Sequence, residues 1–177
     1  MKHHLNIILL ALQVAIVVAA CMAGYQFICC VASMYYQDAS LNLLNHYFTP
    51  ITPNYKYGSY QAQFLPWYCM CYGFLLTYFT RVLIRLRQCF VKFKAHTIFY
   101  EEQAQQIKRA GTGIILFAKG RYLLLCAFGA IFFNAIQLFV TEIPAFLMFY
   151  LLGKLVLVLH YMAKKGAFLR EENELTI

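Results

Sequence analysis

The sequence contains few charged residues. Asp, Glu, Lys and Arg make up 12% of its 177 residues, whereas soluble proteins carry about 25%. Apolar residues make up 62%, against about 45–50% in soluble domains. A chain of this length has too little interior to bury so much apolar surface. The composition therefore excludes an ordinary water-soluble globule and favours a membrane protein.

The sequence also lacks the spacings that mark metal sites. Its seven cysteines and five histidines include no Cys-x-x-Cys pair and no histidine pair at ligand spacing. The cysteines lie in apolar stretches and are expected to pack as small hydrophobic side chains, with a disulfide between Cys29 or Cys30 and Cys69 or Cys71 as the alternative. His160 has no ligand companion, so a packing role is expected. We predict no enzyme activity, no cofactor and no metal.

Long apolar stretches are what the sequence has instead. A helix needs about 20 mostly apolar residues to cross the hydrocarbon core of a bilayer. We predict spans at about 5–32, 64–86, 121–140 and 143–162. "VAAC" at 18–21 resembles a lipoprotein cleavage box, but the apolar run continues through Val31, which favours a retained first span. The predicted fold is an all-α integral membrane protein, a bundle of four transmembrane helices in a single domain over residues 1–177.

The distribution of Lys and Arg predicts the orientation. Thirteen of the fifteen basic residues precede the first span, lie at or between the ends of spans two and three, or follow span four. Arg121 is counted in this group, whereas Glu142 is assigned to the outer end of span four. By the positive-inside rule both termini face the cytoplasm. The other two basic residues are Lys56, in an outer loop at about 33–63, and Lys154, inside span four.

Span two is expected to continue past the membrane as a helix, with polar residues on one face at Arg81, Arg85, Gln88 and Lys92. The simplest role of this stripe is to snorkel towards anionic headgroups; a dedicated partner site is the alternative. A second helix leads into span three, so that residues 85–118 form a cytoplasmic helical hairpin. Gly111 and Gly113 are expected to permit a bend in it.

The tail, residues 163–177, is polar and reads "AKKGAFLREENELTI". Its glutamates Glu171, Glu172 and Glu174 face the same compartment as most of the positive charge. Two interpretations remain open. The tail folds back and satisfies basic loop residues of its own chain, or it offers its carboxylates to a basic partner.

Two segments resemble a known family. "TIFYEEQAQQIKRAG" and "KKGAFLREENELTI" are similar to the bacterial membrane-protein family catalogued as domain of unknown function 2975, whose members have four spans. The inner-loop matches are Phe99, Glu102, Ile107, Arg109 and Gly111. The matches to the family's ending are Gly166, Leu169, Glu171, Glu172, Glu174, Leu175, Thr176 and Ile177.

Genes of that family often neighbour one for a small Cro/CI-type helix-turn-helix regulator. The resemblance therefore implies a multi-pass protein of the bacterial inner membrane that binds and sequesters such a regulator, with no direct contact to nucleic acid. The partner-binding residues that we predict are Phe99, Glu101, Glu102, Arg109, Phe168, Leu169, Glu171, Glu172, Glu174 and Leu175. A homodimer within the lipid bilayer stays open.

A different function class is kept as an alternative. Lys154 is an ionisable residue inside a predicted span, and such residues are costly and usually functional. A small transporter or channel using Lys154 is therefore the second hypothesis, with Asn134, Gln137 or Gln13 as hydrogen-bonding neighbours. Glu142, twelve residues away on the same span, is too distant to pair with it directly.

Overall fold

The protein consists of helices. The computed structural model describes residues 2–36, 42–43, 62–94, 101–132 and 136–175, and the side chains of residues 3–36, 42–43, 62–92, 104–132 and 136–166. These ranges contain no β-strand. The helices are α1 (Lys2–Tyr35), α2 (Leu65–Lys94), α3 (Glu101–Phe132), the short α4 (Leu138–Thr141) and α5 (Ile143–Leu175). Most of the predicted outer loop lies outside the described residues.

Four candidate membrane spans are present in the described part of the chain, which confirms the prediction of an all-helical protein with four helices long and apolar enough to cross a membrane. They are His3–Tyr35, Leu65–Lys92, Ala104–Phe132 and Leu138–Gly166. The third span, Ala104–Phe132, lies nearer the N-terminus than the predicted third span at about 121–140. The reason is that α3 is one continuous helix from Glu101 through Gly111 and Gly113, and it ends at Phe132.

The long helices pack in the order in which they occur in the chain. α1 packs against α2, α2 against α3, and α3 against α5. Within the candidate spans, α2 and α3 are the most buried, and α1 and α5 expose most of their apolar side chains. Such an apolar exterior suits a surface that faces lipid. We call the end of the bundle where α2 ends and α3 begins the basic end.

An aromatic cluster joins three of the helices. The rings of Phe79 on α2 and Phe117 on α3 stack with centroids 4.0 Å apart. Phe149 on α5 meets both rings nearly at right angles, at 5.8 Å from Phe79 and 5.4 Å from Phe117. Stacked and edge-to-face pairs are both favourable aromatic geometries. This cluster therefore packs α3 tightly between α2 and α5.

Glycines bring α3 close to both neighbours. A methyl group at Gly113 would lie 2.6 Å from Cγ2 of Val82 on α2. A methyl group at Gly153 on α5 would lie 2.6 Å from Cγ1 of Ile115 and 3.1 Å from the carbonyl oxygen of Gly111. Small residues let membrane helices approach closely where no hydrophobic effect drives their association. These contacts fix the positions of α2 and α5 along α3.

Gly153→Ala is expected to lower the free energy of unfolding by about 1–3 kcal/mol, because the added methyl group overpacks the α3–α5 contact. Gly24→Ala is the matched control, since within the described residues no atom other than the neighbouring atoms of its own helix lies within 4 Å of a methyl group at that position. The control should be neutral or stabilising by about 0.5–1 kcal/mol, the helix-propensity gain of Ala over Gly. Unfolding by SDS in mixed micelles measures both. Equal effects of the two substitutions would contradict the close contact.

Candidate functional site

A polar cleft opens between α2 and α3 at the basic end. It has a volume of about 260 Å³, and it is lined by Arg85, Gln88, Lys92, Gln106 and Arg109. We call it the basic cleft. Its lining thus combines three cationic side chains with two amides, and it includes no carboxylate among the residues that the structure describes.

Helical periodicity places the lining residues on facing surfaces. On α2, Arg85, Gln88 and Lys92 recur at i, i+3 and i+7, so they share one face. On α3, Gln106 and Arg109 are three residues apart and also share a face. The antiparallel packing of the two helices brings these faces together across the cleft.

Buried residues adjoin the lining residues of the cleft in sequence. Leu86 and Cys89 on α2 and Ile107 on α3 are buried in the main hydrophobic core. The Cys89 thiol donates a hydrogen bond to Oε1 of Gln106, with 3.5 Å between the atoms. Because the amide oxygen faces Cys89, the NH₂ group of Gln106 is available to the cleft as a donor.

The electrostatics of the cleft favour an anion. The side chains of Arg85 on α2 and Arg109 on α3 bring two positive charges to one opening, and both are exposed. Arg81 and Lys108, exposed on the same two helices, add to the positive field. Like charges gathered in this way repel one another. A bound anion with several acceptor oxygens relieves that repulsion and accepts charge-assisted hydrogen bonds.

A second charged feature lies deeper in the bundle. Nη2 of Arg121 on α3 is 2.9 Å from Oε2 of Glu142, which directly precedes α5, and the two side chains are 19% and 17% exposed. Arg121 lies eleven residues before the end of α3. An ionisable pair inside a candidate span is a recognised mark of structural or functional importance.

This ion pair corrects the sequence-based placement of both residues. Arg121 was assigned to the cytoplasmic end of span three and Glu142 to the outer end of span four. Those assignments are wrong as a pair, because side chains 2.9 Å apart lie at one level. The physical reason is that α5 begins beside the middle of α3 and not beside its end.

Lys154, the predicted intramembrane polar residue, is exposed on α5. Its Nζ atom lies 5.6 Å from the centroid of the Tyr150 ring, within the range of a cation–π interaction. Because Gly153 packs against Gly111, Lys154 lies near the level of Arg109. Lys154 therefore belongs to the same zone as the cations of the basic end.

The other titratable candidates pack within the bundle. His160 is 8% exposed, and its Nδ1 lies 2.7 Å from the carbonyl oxygen of Ala104, so a protonated Nδ1 donates a bond that joins α5 to α3. All seven cysteines are free thiols, with Cys29, Cys30 and Cys69 buried in one cluster. No three His, Cys, Asp or Glu residues in the described part form a group that would hold a metal ion.

Of the predicted partner-binding residues, Arg109 lines the basic cleft. Phe99 lies outside the described residues. For the others the structure describes the backbone: Glu101 and Glu102 begin α3. The last turns of α5 contain Phe168, Leu169, Glu171, Glu172, Glu174 and Leu175. Sequence reasoning missed Gln106, although its position three residues before Arg109 was a usable signal.

Comparison with known proteins finds no relative. No protein-family model matches the chain, and neither a curated protein nor a solved structure matches it. The family resemblance of the inner loop and the tail therefore stays a prediction, and the function rests on the residues described above.

Glu142→Gln is expected to lower the free energy of unfolding by about 3 kcal/mol, because it leaves the largely buried Arg121 without its counter-charge. Replacing both residues by Gln should recover more than half of that loss, since no uncompensated charge then remains. Lys119→Gln is the control, because Lys119 is an exposed cation on the same helix. The control should change stability by less than about 0.5 kcal/mol. SDS titration measures all three, and a Glu142→Gln effect no larger than the control would contradict the importance of the pair.

Proposed function

We propose that the protein is a membrane-embedded interaction protein that holds a small Cro/CI-type helix-turn-helix regulator at the end of α5. The proposal places the protein in the bacterial inner membrane with both termini in the cytoplasm, as the positive-inside rule predicts. In this position the bound regulator is kept away from DNA.

The observation that carries the proposal is the length of α5, which runs unbroken from Ile143 to Leu175. His160 on α5 contacts Ala104 at the beginning of α3, so Ala163 lies near the level of Glu101, the first residue of α3. Glu171 is eight residues further along α5, which is about 12 Å at 1.5 Å per residue. The acidic segment therefore passes beyond the start of α3.

This geometry favours an acidic tail that is offered to a partner over one that folds back on its own chain. By the same register, Arg109 in the basic cleft lies near the level of Leu155. Glu171 is sixteen residues after Leu155, about 24 Å along the helix. A continuous helix does not return over that distance.

The chemistry of the tail suits a DNA-binding partner. Phe168, Glu171, Glu172 and Leu175 recur at i, i+3, i+4 and i+7, so they share one helical face. A surface that reads DNA is basic because it must hold phosphates, and carboxylates form charge-assisted hydrogen bonds with its Arg and Lys side chains. Phe168 and Leu175 add the apolar contacts that anchor an interface. A regulator bound in this way has its DNA-reading surface covered.

The transporter alternative has less support. Ionisable residues along a transport path face the bundle interior or a water-filled cavity. Lys154 is exposed on the outside of α5, beside the ring of Tyr150, and it lies close to the level of the other basic-end cations.

Replacing Glu171, Glu172 and Glu174 by Gln is expected to weaken binding of the regulator encoded by the neighbouring gene by about tenfold, because three charge-assisted contacts are lost. Deleting residues 167–177 should abolish binding, because it also removes Phe168 and Leu175. The measurement is co-purification of the tagged full chain with the regulator from detergent-solubilised membranes, followed by titration of the purified components.

Lys164→Gln with Lys165→Gln is the matched control, since it changes two charges on the same helix just before the acidic segment. The control should retain binding within about twofold, a difference of about 0.4 kcal/mol. Undiminished co-purification after the deletion would refute the assignment of the tail as the binding surface.

A further inference from the structure

We propose that the basic cleft binds the phosphate group of an anionic membrane lipid. The inference goes beyond the capture of a regulator, because it assigns a ligand to a different surface of the chain. The cleft lies between α2 and α3 and is lined by Arg85, Gln88, Lys92, Gln106 and Arg109.

The donors of the cleft match a phosphate group. The lining includes the guanidinium groups of Arg85 and Arg109 and the side-chain amides of Gln88 and Gln106. Guanidinium groups bind phosphate oxygens through paired hydrogen bonds. A volume of about 260 Å³ is below the usual range of about 300–1,000 Å³ for pockets that enclose a whole small molecule. It therefore suits a headgroup and not a large soluble ligand.

The position of the cleft along the helices fits the headgroup layer. Arg85 lies twenty residues after Leu65, the first residue of α2, which is about 30 Å along the helix. Arg109 lies twenty-three residues before Phe132, the last residue of α3, which is about 34 Å. The hydrocarbon core of a bilayer is about 30 Å thick. Arg85 and Arg109 thus lie about one hydrocarbon thickness from the far ends of α2 and α3, within the last turns of the two candidate spans at the basic end.

Apolar side chains lead from the cleft along both helices. On α2, Phe74 and Tyr78 lie eleven and seven residues before Arg85, on the same helical face, and they are 57% and 36% exposed. On α3, Leu116 lies seven residues after Arg109 and is 56% exposed. Leu123, another seven residues on, continues this face and is 66% exposed. A site that joins cations to exposed apolar faces fits a phospholipid with its phosphate in the cleft and its acyl chains along α2 and α3.

Among the side chains that the structure describes, no carboxylate lies at Arg85 or Arg109. Glu142 is the one acidic residue whose side chain is described, and it bonds Arg121. The tail glutamates lie about 24 Å beyond the level of Arg109 along α5. Glu102 lies one turn before Gln106 on α3, and a negative charge near the cleft would weaken the binding of an anionic lipid. Removal of its charge is therefore expected to leave lipid binding unchanged or tighter.

The test is a titration of the detergent-solubilised full chain with phosphatidylglycerol, in which native mass spectrometry measures the bound fraction. Arg85→Ala with Arg109→Ala should weaken binding at least about tenfold. The matched control is Arg81→Ala with Lys108→Ala, which removes two charges from the same helices outside the cleft lining. It should weaken binding less than about twofold, as expected for charges that act only through the surrounding field. Phosphatidylcholine should bind the unmodified chain at least about tenfold more weakly than phosphatidylglycerol.

Three results would overturn the proposal. If Arg81→Ala with Lys108→Ala weakened lipid binding as much as Arg85→Ala with Arg109→Ala, the lipid would be attracted by the general positive charge and not by a site. Equal binding of phosphatidylcholine and phosphatidylglycerol would show that the cleft does not select an anion. Inorganic phosphate that binds as tightly as the lipid and displaces it would assign the cleft to a soluble phosphate compound.

Two further variants keep the result interpretable. If the variant with Arg85→Ala and Arg109→Ala is not monodisperse, the variant with Arg85→Lys and Arg109→Lys is measured in its place. The Lys variant keeps both charges but loses the paired hydrogen bonds. That pair should weaken binding about threefold, and unchanged binding would contradict the phosphate geometry. The chain without residues 167–177 should bind the lipid normally while it loses the regulator, so the two proposals fail separately. Loss of lipid binding in the shortened chain would contradict the cleft assignment.

Discussion

The close packing of α3 against its two neighbours is the constraint on which the other features depend. At Gly113 a side chain of α2 lies where a methyl group would be, and at Gly111 and Gly153 the backbones of α3 and α5 approach each other directly. Contacts this tight tolerate no sliding, because moving a helix along its axis would place larger residues at the crossing. One set of contacts therefore determines which residues of α2 and α5 lie beside each turn of α3.

Three consequences follow from that register. Arg85 and Lys92 face Gln106 and Arg109, which creates the basic cleft. Glu142 reaches Arg121, because α5 begins beside the middle of α3. The end of α5 extends past the start of α3, because α5 as a whole is shifted along α3 in that direction. The offset that buries an ion pair at one end therefore exposes an acidic helix at the other.

Hydropathy was sufficient to predict the helical class and the number of spans, because both depend on local composition. It could not place Arg121. A basic residue near the start of an apolar run looks like a boundary charge unless its partner is known, and the partner is determined by packing between helices. The same limit applies to the cleft. Helical spacing indicated the stripe on α2, but which residues of α3 lie opposite that stripe, Gln106 among them, depends on how the two helices pack. Gly111 and Gly113 were predicted to permit a bend, because kinks in helices often occur at glycine. In this bundle they lie within a continuous helix, at the points of closest approach.

The two proposed ligands carry opposite charges, and the length of α5 explains how one end of the protein serves both. An anionic lipid in the basic cleft would repel carboxylates placed beside it. The tail glutamates lie about 24 Å further along the axis, and at physiological ionic strength screening acts over about 8 Å. The tail therefore stands clear of the lipid charge, and its carboxylates remain able to attract a basic protein. That protein would itself be drawn towards the anionic membrane surface. We expect membrane charge to concentrate the regulator near the protein and the acidic face of α5 to select it, since lipid charge alone carries no geometric specificity.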